Sequence, residues 1–215
     1  SVLLPETLMP MILMKYIKEL QCNINNIAHM IISDCLFQTG IILLPIVSIF
    51  ITGLKYPVKE QIVQPVFQPP DWVFSVVWTY ITLALGFITN MFYNKVKKLT
   101  ISTSNWPGLL TNMVVTKTLV LERFIIMSFY FTILVLLNSW LVFNYNNSYE
   151  VSFYVLVSSC FISIIYVCYL CYISDGIDNR YLVFFLLPLP FWLCVASCLN
   201  GVIYQASSLK YVKNF

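Results

Sequence analysis

The chain has 215 residues, 60% of them hydrophobic and 10% charged, with a net charge of +3 and a mean hydropathy of +0.83. Soluble domains average about 25% charged residues, so this composition excludes an ordinary soluble domain. The small net charge also argues against a nucleic-acid partner.

The charges punctuate the chain. Uncharged runs of 20, 23, 26, 24 and 29 residues separate Asp34 from Lys55, Asp71 from Lys95, Arg123 from Glu150, Glu150 from Asp175, and Arg180 from Lys210. A helix needs about 20 apolar residues to cross the hydrocarbon core. Five spans are therefore predicted, near 36–54, 72–94, 124–146, 151–173 and 181–206. Barrel strands are about 9–11 residues of alternating polarity, and these runs are longer and continuously apolar. The expected fold is an all-α membrane domain of five transmembrane helices over 36–206, with an N-terminal extension over 1–35 and a short tail over 207–215.

Within the extension, Lys15, Lys18, Glu19 and Cys22 fall on one helical face, with Ile12, Leu13, Tyr16, Ile17 and Leu20 opposite. That pattern over 10–33 predicts an amphipathic helix for the bilayer surface or a groove on a partner. The stretch has no Arg and carries Glu6 and Glu19, unlike a mitochondrial presequence, and no charged segment precedes Val2-Leu3-Leu4 as a secretory signal would require.

The first span leads into Gln64-Pro65-Val66-Phe67-Gln68-Pro69-Pro70-Asp71-Trp72-Val73-Phe74, continuing to Val77-Trp78-Thr79 and Gly86. Proline fixes φ and removes an N–H donor, so Pro69 and Pro70 belong before a helix or in its first turn. Residues 65–70 are expected to form a structured connection, with Trp72 as an anchor at the bilayer boundary.

The connection over 95–123 reads as a long, mixed loop. It holds a basic cluster (Lys95, Lys97, Lys98), a polar stretch from Thr100 to Asn105, and the turn signal Trp106-Pro107-Gly108. Later connections are short, so the last three spans should pack as antiparallel neighbours. With five spans, the N-terminus, the 95–123 loop and the 174–180 loop share one side, with eight Lys or Arg against four opposite. The positive-inside rule places that side in the cytoplasm or matrix.

The third span carries Leu137-Asn138-Ser139-Trp140, and the fifth carries Pro188, Pro190, Trp192, Ala196 and Leu199-Asn200. Pro188 and Pro190 should kink the last helix. Asn138 and Asn200 read better as hydrogen-bonding glue between helices than as ligand contacts. Val202 and Tyr204, with Lys210 beyond, fit a proposed sterol pattern, which ordinary membrane anchoring also produces. The seven cysteines, Cys168-x-x-Cys171 included, lack companion histidines (His29 stands alone) and read as inert small hydrophobes. The uncharged spans hold no carboxylate or histidine to act as a general base, so no enzyme is expected.

Taken in order, these clusters resemble the TspO family, also called the translocator protein or peripheral benzodiazepine receptor family. Its signature resembles Pro65, Pro69, Pro70, Trp72, Val77, Trp78, Thr79 and Gly86; its third helix, Leu137-Asn138; its last, Pro188, Trp192, Ala196, Leu199 and Asn200. The resemblance covers about 36–206. It implies a five-helix bundle binding or translocating an apolar ligand, a sterol or a tetrapyrrole, with no other cofactor than such a ligand or a bound lipid. Its implied contacts are Pro65, Pro69, Pro70, Trp72, Phe74, Trp78, Asn138, Trp140, Pro188, Trp192 and Asn200. Helices two, three and five should enclose the cavity, with Trp78, Asn138 and Trp192 facing inward. Packing alone would also account for Trp78 and Trp140.

The chain departs from the family at Gln64, Val58-Lys59, Thr82, Leu134 and Leu189, where polar or aromatic groups are replaced. That erosion motivates an alternative: a structural accessory subunit of a mitochondrial respiratory-chain or ATP synthase complex, contacting other subunits through 1–35 and 95–123. The membrane would be the inner mitochondrial one for a subunit, or the outer one for a protein placed like the family.

Overall fold

The computed structural model describes residues 8–57, 69–104, 109–174 and 180–213. Among them run α1 (Leu8–Lys55), α2 (Asp71–Ser104), α3 (Leu109–Tyr145), α4 (Tyr149–Ile173), a 3-10 segment (Arg180–Leu186) and α5 (Pro188–Lys213), with no strand. Segments long and apolar enough to cross a membrane are Ile31–Lys55, Trp72–Leu99, Lys117–Tyr145, Tyr149–Ile173 and Tyr181–Leu209. A helix satisfies its own backbone, which lipid cannot do for it.

The helix ends follow local chemistry. Pro70 directly precedes α2, and its carbonyl accepts the Val73 N–H at 2.9 Å. Pro65 lies outside the described residues. At the end of α3, Asn147 takes a left-handed φ of 58°. The Ser148 N–H then bonds to the Phe143 carbonyl at 3.0 Å and the Asn147 N–H to that of Asn144 at 3.1 Å. This is a Schellman closure, which turns the chain into α4 within three residues and covers orphan carbonyls.

Two sequence expectations are corrected. The polar residues Thr100 to Ser104 continue α2, and Leu109 and Leu110 already belong to α3, so most of 95–123 is helix rather than loop. Extending a formed helix costs far less than nucleating one, so the helices run past their apolar segments; Trp106 lies outside the described residues. Pro188 does not kink a continuous last helix but opens α5, behind a 3-10 segment. Its missing N–H costs nothing at a first helical position, and it disfavours α geometry at Leu187.

The described structure divides into two units, residues 1–40 and 41–215. In the first, residues 8–40 are helical, and the apolar side chains of Ile31, Ile32, Leu36 and Phe37 are exposed. The amphipathic face of Lys15, Lys18, Glu19 and Cys22 rests on side chains outside the described residues. The helix runs unbroken through residue 35, and its apolar segment begins at Ile31 instead of 36.

The second unit has one core. Leu85, Ile88 and Phe92 of α2 meet Ile126, Ile133 and Leu137 of α3, while Leu156 and Leu170 of α4 and Leu193 of α5 close the other side. Polar bonds cross it where lipid offers none. Thr89 and Tyr166 share a buried hydrogen bond of 2.8 Å between α2 and α4, and outside the core the exposed Tyr80 hydroxyl donates to the Phe185 carbonyl at 3.2 Å.

Docking of α1 residues 41–55 turns on two residue types. Pro45 stands inside α1 and cannot donate to the Ile41 carbonyl. The buried Tyr130 hydroxyl donates to that carbonyl instead, at 2.8 Å. On α2, a Cβ at Gly86 would stand 2.5 Å from the Ile42 carbonyl oxygen and 2.9 Å from that of Ile41. Only glycine admits the α1 backbone there, the small-residue route to close helix packing in lipid.

Candidate functional site

Near the Lys55 end of the second unit lies a cavity of about 650 Å³. Its walls come from four helices. α2 supplies Phe74, Ser75, Trp78, Thr79 and Thr82; α3 supplies Leu137, Trp140 and Leu141; α5 supplies Ala196, Leu199 and Asn200. The fourth wall is α1, with Ile46, Ile49, Phe50, Gly53 and Leu54.

Trp78 and Trp140 lie nearly parallel, with ring centroids 5.6 Å apart and planes at 18°, forming a flat aromatic wall. The same wall is tied to α4 and α5 through Asn200. Its Oδ1 accepts from Trp140 Nε1 at 3.3 Å, Asn144 Nδ2 at 3.4 Å and Ser152 Oγ at 3.3 Å, and its Nδ2 donates to the Ala196 carbonyl at 3.1 Å. An amide oxygen has two lone pairs, so three donors saturate it.

Two of the hydroxyls on the α2 wall, those of Thr79 and Thr82, are also committed as donors. Thr82 Oγ1 donates to the Trp78 carbonyl at 2.7 Å, and Thr79 Oγ1 to that of Ser75 at 2.8 Å. Their oxygens keep lone pairs to offer, so these groups can accept a hydrogen bond but have none to give. No charged side chain lines the cavity.

The residues singled out in the sequence divide into three groups. Phe74, Trp78, Trp140 and Asn200 line the cavity. Asn138, Trp192, Pro69, Pro70, Trp72, Pro188, Val202 and Tyr204 are outside its lining, while Pro65 and the Lys210 side chain lie outside the described residues.

Asn138 turns toward α1: its Oδ1 accepts from Thr52 Oγ1 at 2.6 Å, and its Nδ2 donates to Ser48 Oγ at 3.3 Å and to the Leu134 carbonyl at 2.8 Å. Trp192 is buried behind Phe74, edge to face at 5.2 Å, and its Nε1 has no hydrogen-bond partner among the described residues. Trp72 is 68% exposed at the start of α2. Tyr204 stacks on Phe153 of α4 at 6.2 Å. Of the substituted family positions, Thr82 lines the cavity, whereas Leu134 and Leu189 are buried outside its lining.

The α1 wall was missed in the sequence. Its cavity-lining residues (Ile46, Ile49, Phe50, Gly53, Leu54) are as apolar as its exposed Leu43, Leu44, Val47 and Ile51, so the pattern does not separate cavity from lipid. The one available signal was Gly86 on α2, which implies a helix backbone against it.

Five helices long and apolar enough to cross a membrane, four of them walling an apolar cavity with stacked tryptophans, define an integral membrane protein. The TspO/MBR family model matches residues 41–205, and the chain belongs to that family. The matched region begins at the boundary of the second unit, leaving residues 1–40 outside it. No curated protein compared with the chain matches it.

Proposed function

We propose that the protein binds a neutral, largely apolar ligand of the sterol class in the cavity between α1, α2, α3 and α5, without catalysing a reaction on it. The observation that carries this reading is the polarity of the lining: two threonine oxygens that accept, an Asn200 oxygen already filled by donors, and no charge. A ligand bearing one hydroxyl donor fits that inventory. The carboxylates of a tetrapyrrole would have no cation to meet, and an unpaired buried charge is costly. The volume falls within the roughly 300–1,000 Å³ of typical ligand sites, and the Trp78–Trp140 wall suits a flat, rigid ring system.

The test is a titration of the purified chain in nanodiscs with a sterol and, separately, with a dicarboxylic porphyrin, read by tryptophan fluorescence. Saturable sterol binding is expected, weakened about tenfold by Trp78→Ala, which removes an aromatic contact and its buried area. Tighter binding of the porphyrin than of the sterol would reverse the assignment.

A second reading is favoured by residues 1–40, which the family match leaves out. In it the chain is an accessory subunit of a mitochondrial membrane complex and this segment docks on a neighbour. Deleting 1–30 would then release the chain from its assembly while sterol titration stayed unchanged. A native chain that purifies alone after gentle extraction sinks that reading.

A further inference from the structure

The two ends of the second unit differ in charge. Among its described side chains, Lys95, Lys97 and Lys98 at the end of the α2 span and Lys117 and Arg123 at the start of the α3 span face Glu122 as the sole carboxylate. Among the described side chains the cavity end has Lys55 and Glu150, of opposite sign. At about 1.5 Å of rise per residue, all five cations lie within roughly 10 Å, along the helix axes, of the contact between Arg123 and Tyr93.

Arg123 is the anomaly of this group. It is half-buried inside the α3 span, its guanidinium 5.8 Å from the centre of the Tyr93 ring. Its Nε is inaccessible and has no hydrogen-bond partner among the described residues. An aromatic face stabilises a cation without neutralising it. Arg123 is the last charge before the uncharged run of α3, which sets it at the membrane boundary, and Glu122, beside it on the helix, points away by the helical geometry.

We propose that this end of the bundle binds the phosphate of an anionic phospholipid, with Arg123 as its central ligand and Lys95, Lys98 and Lys117 drawing the headgroup in. A lipid fits better than a soluble anion because Arg123 borders the uncharged run of α3, where a headgroup at the interface comes within reach of its extended stem. The site is on the opposite end from the cavity and does not depend on the sterol reading. The basic cluster is on the side that the charge bias assigns to the cytoplasm or matrix, where anionic lipids attract juxtamembrane cations.

The experiment uses the full chain in nanodiscs of phosphatidylcholine mixed with phosphatidylglycerol, with bound lipid read by native mass spectrometry. Phosphatidylglycerol should be retained in preference to phosphatidylcholine. Arg123→Gln should cut that retention about fivefold, the effect of one interfacial cation. Arg123→Lys should keep most of it, and Lys55→Gln, at the far end, should change nothing. Equal retention of the two lipids by the unaltered chain overturns the proposal without any variant, as does an Arg123→Gln protein that holds phosphatidylglycerol normally. Displacement by millimolar inorganic phosphate would overturn the lipid assignment in favour of a soluble anion.

Discussion

The first and fifth spans are equally apolar by composition, yet only 11% of the first is buried against 44% of the fifth. α5 is fixed by area: Leu193, Ala196, Leu199 and Ile203 are all nearly inaccessible, and Asn200 adds its bonds to α3 and α4. Residues 41–55 of α1 bury Ile41 and Pro45 and are otherwise attached at a few points, among them the Tyr130–Ile41 bond, the Gly86 contact and the bonds of Ser48 and Thr52 with Asn138. One wall of the cavity is thus held by broad packing and the opposite wall by specific contacts. In lipid, apolar area alone gives helices little reason to associate, so the sparsely packed wall depends on the contacts that lipid cannot replace.

The sharpest way to break this contrast is Gly86→Leu. Its Cβ would meet α1 backbone, which cannot rotate aside as a side chain would. Overpacking of this kind costs about 1–3 kcal/mol, and a lowered melting temperature in detergent should come with loss of sterol binding. Gly53→Ala is its control: a Cβ there meets nothing within 4 Å and should leave the melt unchanged.

Asn200→Ala comes next, because it strands three donors at once. Interhelical bonds in lipid are worth about 0.6–2 kcal/mol, and the melt should fall by an amount in that range. If the melt does not move, Asn200 is not the tie between α3, α4 and α5.

Tyr130→Phe should cost somewhat less, about 1 kcal/mol for one unsatisfied carbonyl. It should also raise hydrogen exchange at α1 residues near Ile41 while leaving α5 protected. Equal loosening of both helices would contradict the distinction between the two walls. The smallest effect is expected for Trp72→Phe, since an exposed anchor at the start of α2 contributes to position in the bilayer more than to packing. Its melting temperature should match that of the unaltered chain.

Much of the architecture was legible before any coordinates. The spacing of charges located all five spans, because a charged residue is expelled from the hydrocarbon core whatever the tertiary structure. The prolines and tryptophans between Pro65 and Trp78, together with Asn138 and Asn200, carried the family. Helix continuity through residue 35 and from Thr100 to Ser104 was not legible, since polar residues outside the apolar core are compatible with loop and helix alike. The position of Pro188 was readable as a break, but whether it bent or began a helix depended on the 3-10 segment before it.

The cavity was the part least open to the sequence. Inward-facing and lipid-facing positions are equally apolar in a membrane helix, so the periodicity that marks the core of a soluble helix is absent. Sequence alone determined that the chain crosses the membrane five times and to which family its pattern belongs, because both follow from residue types and their order. Only the tertiary structure decided that α1 walls the cavity, that Asn138 serves α1 while Asn200 ties the bundle, and that Trp192 stands behind Phe74. Those outcomes depend on the rotation of each helix about its own axis, which close contacts such as Gly86 against Ile42 set and hydropathy does not.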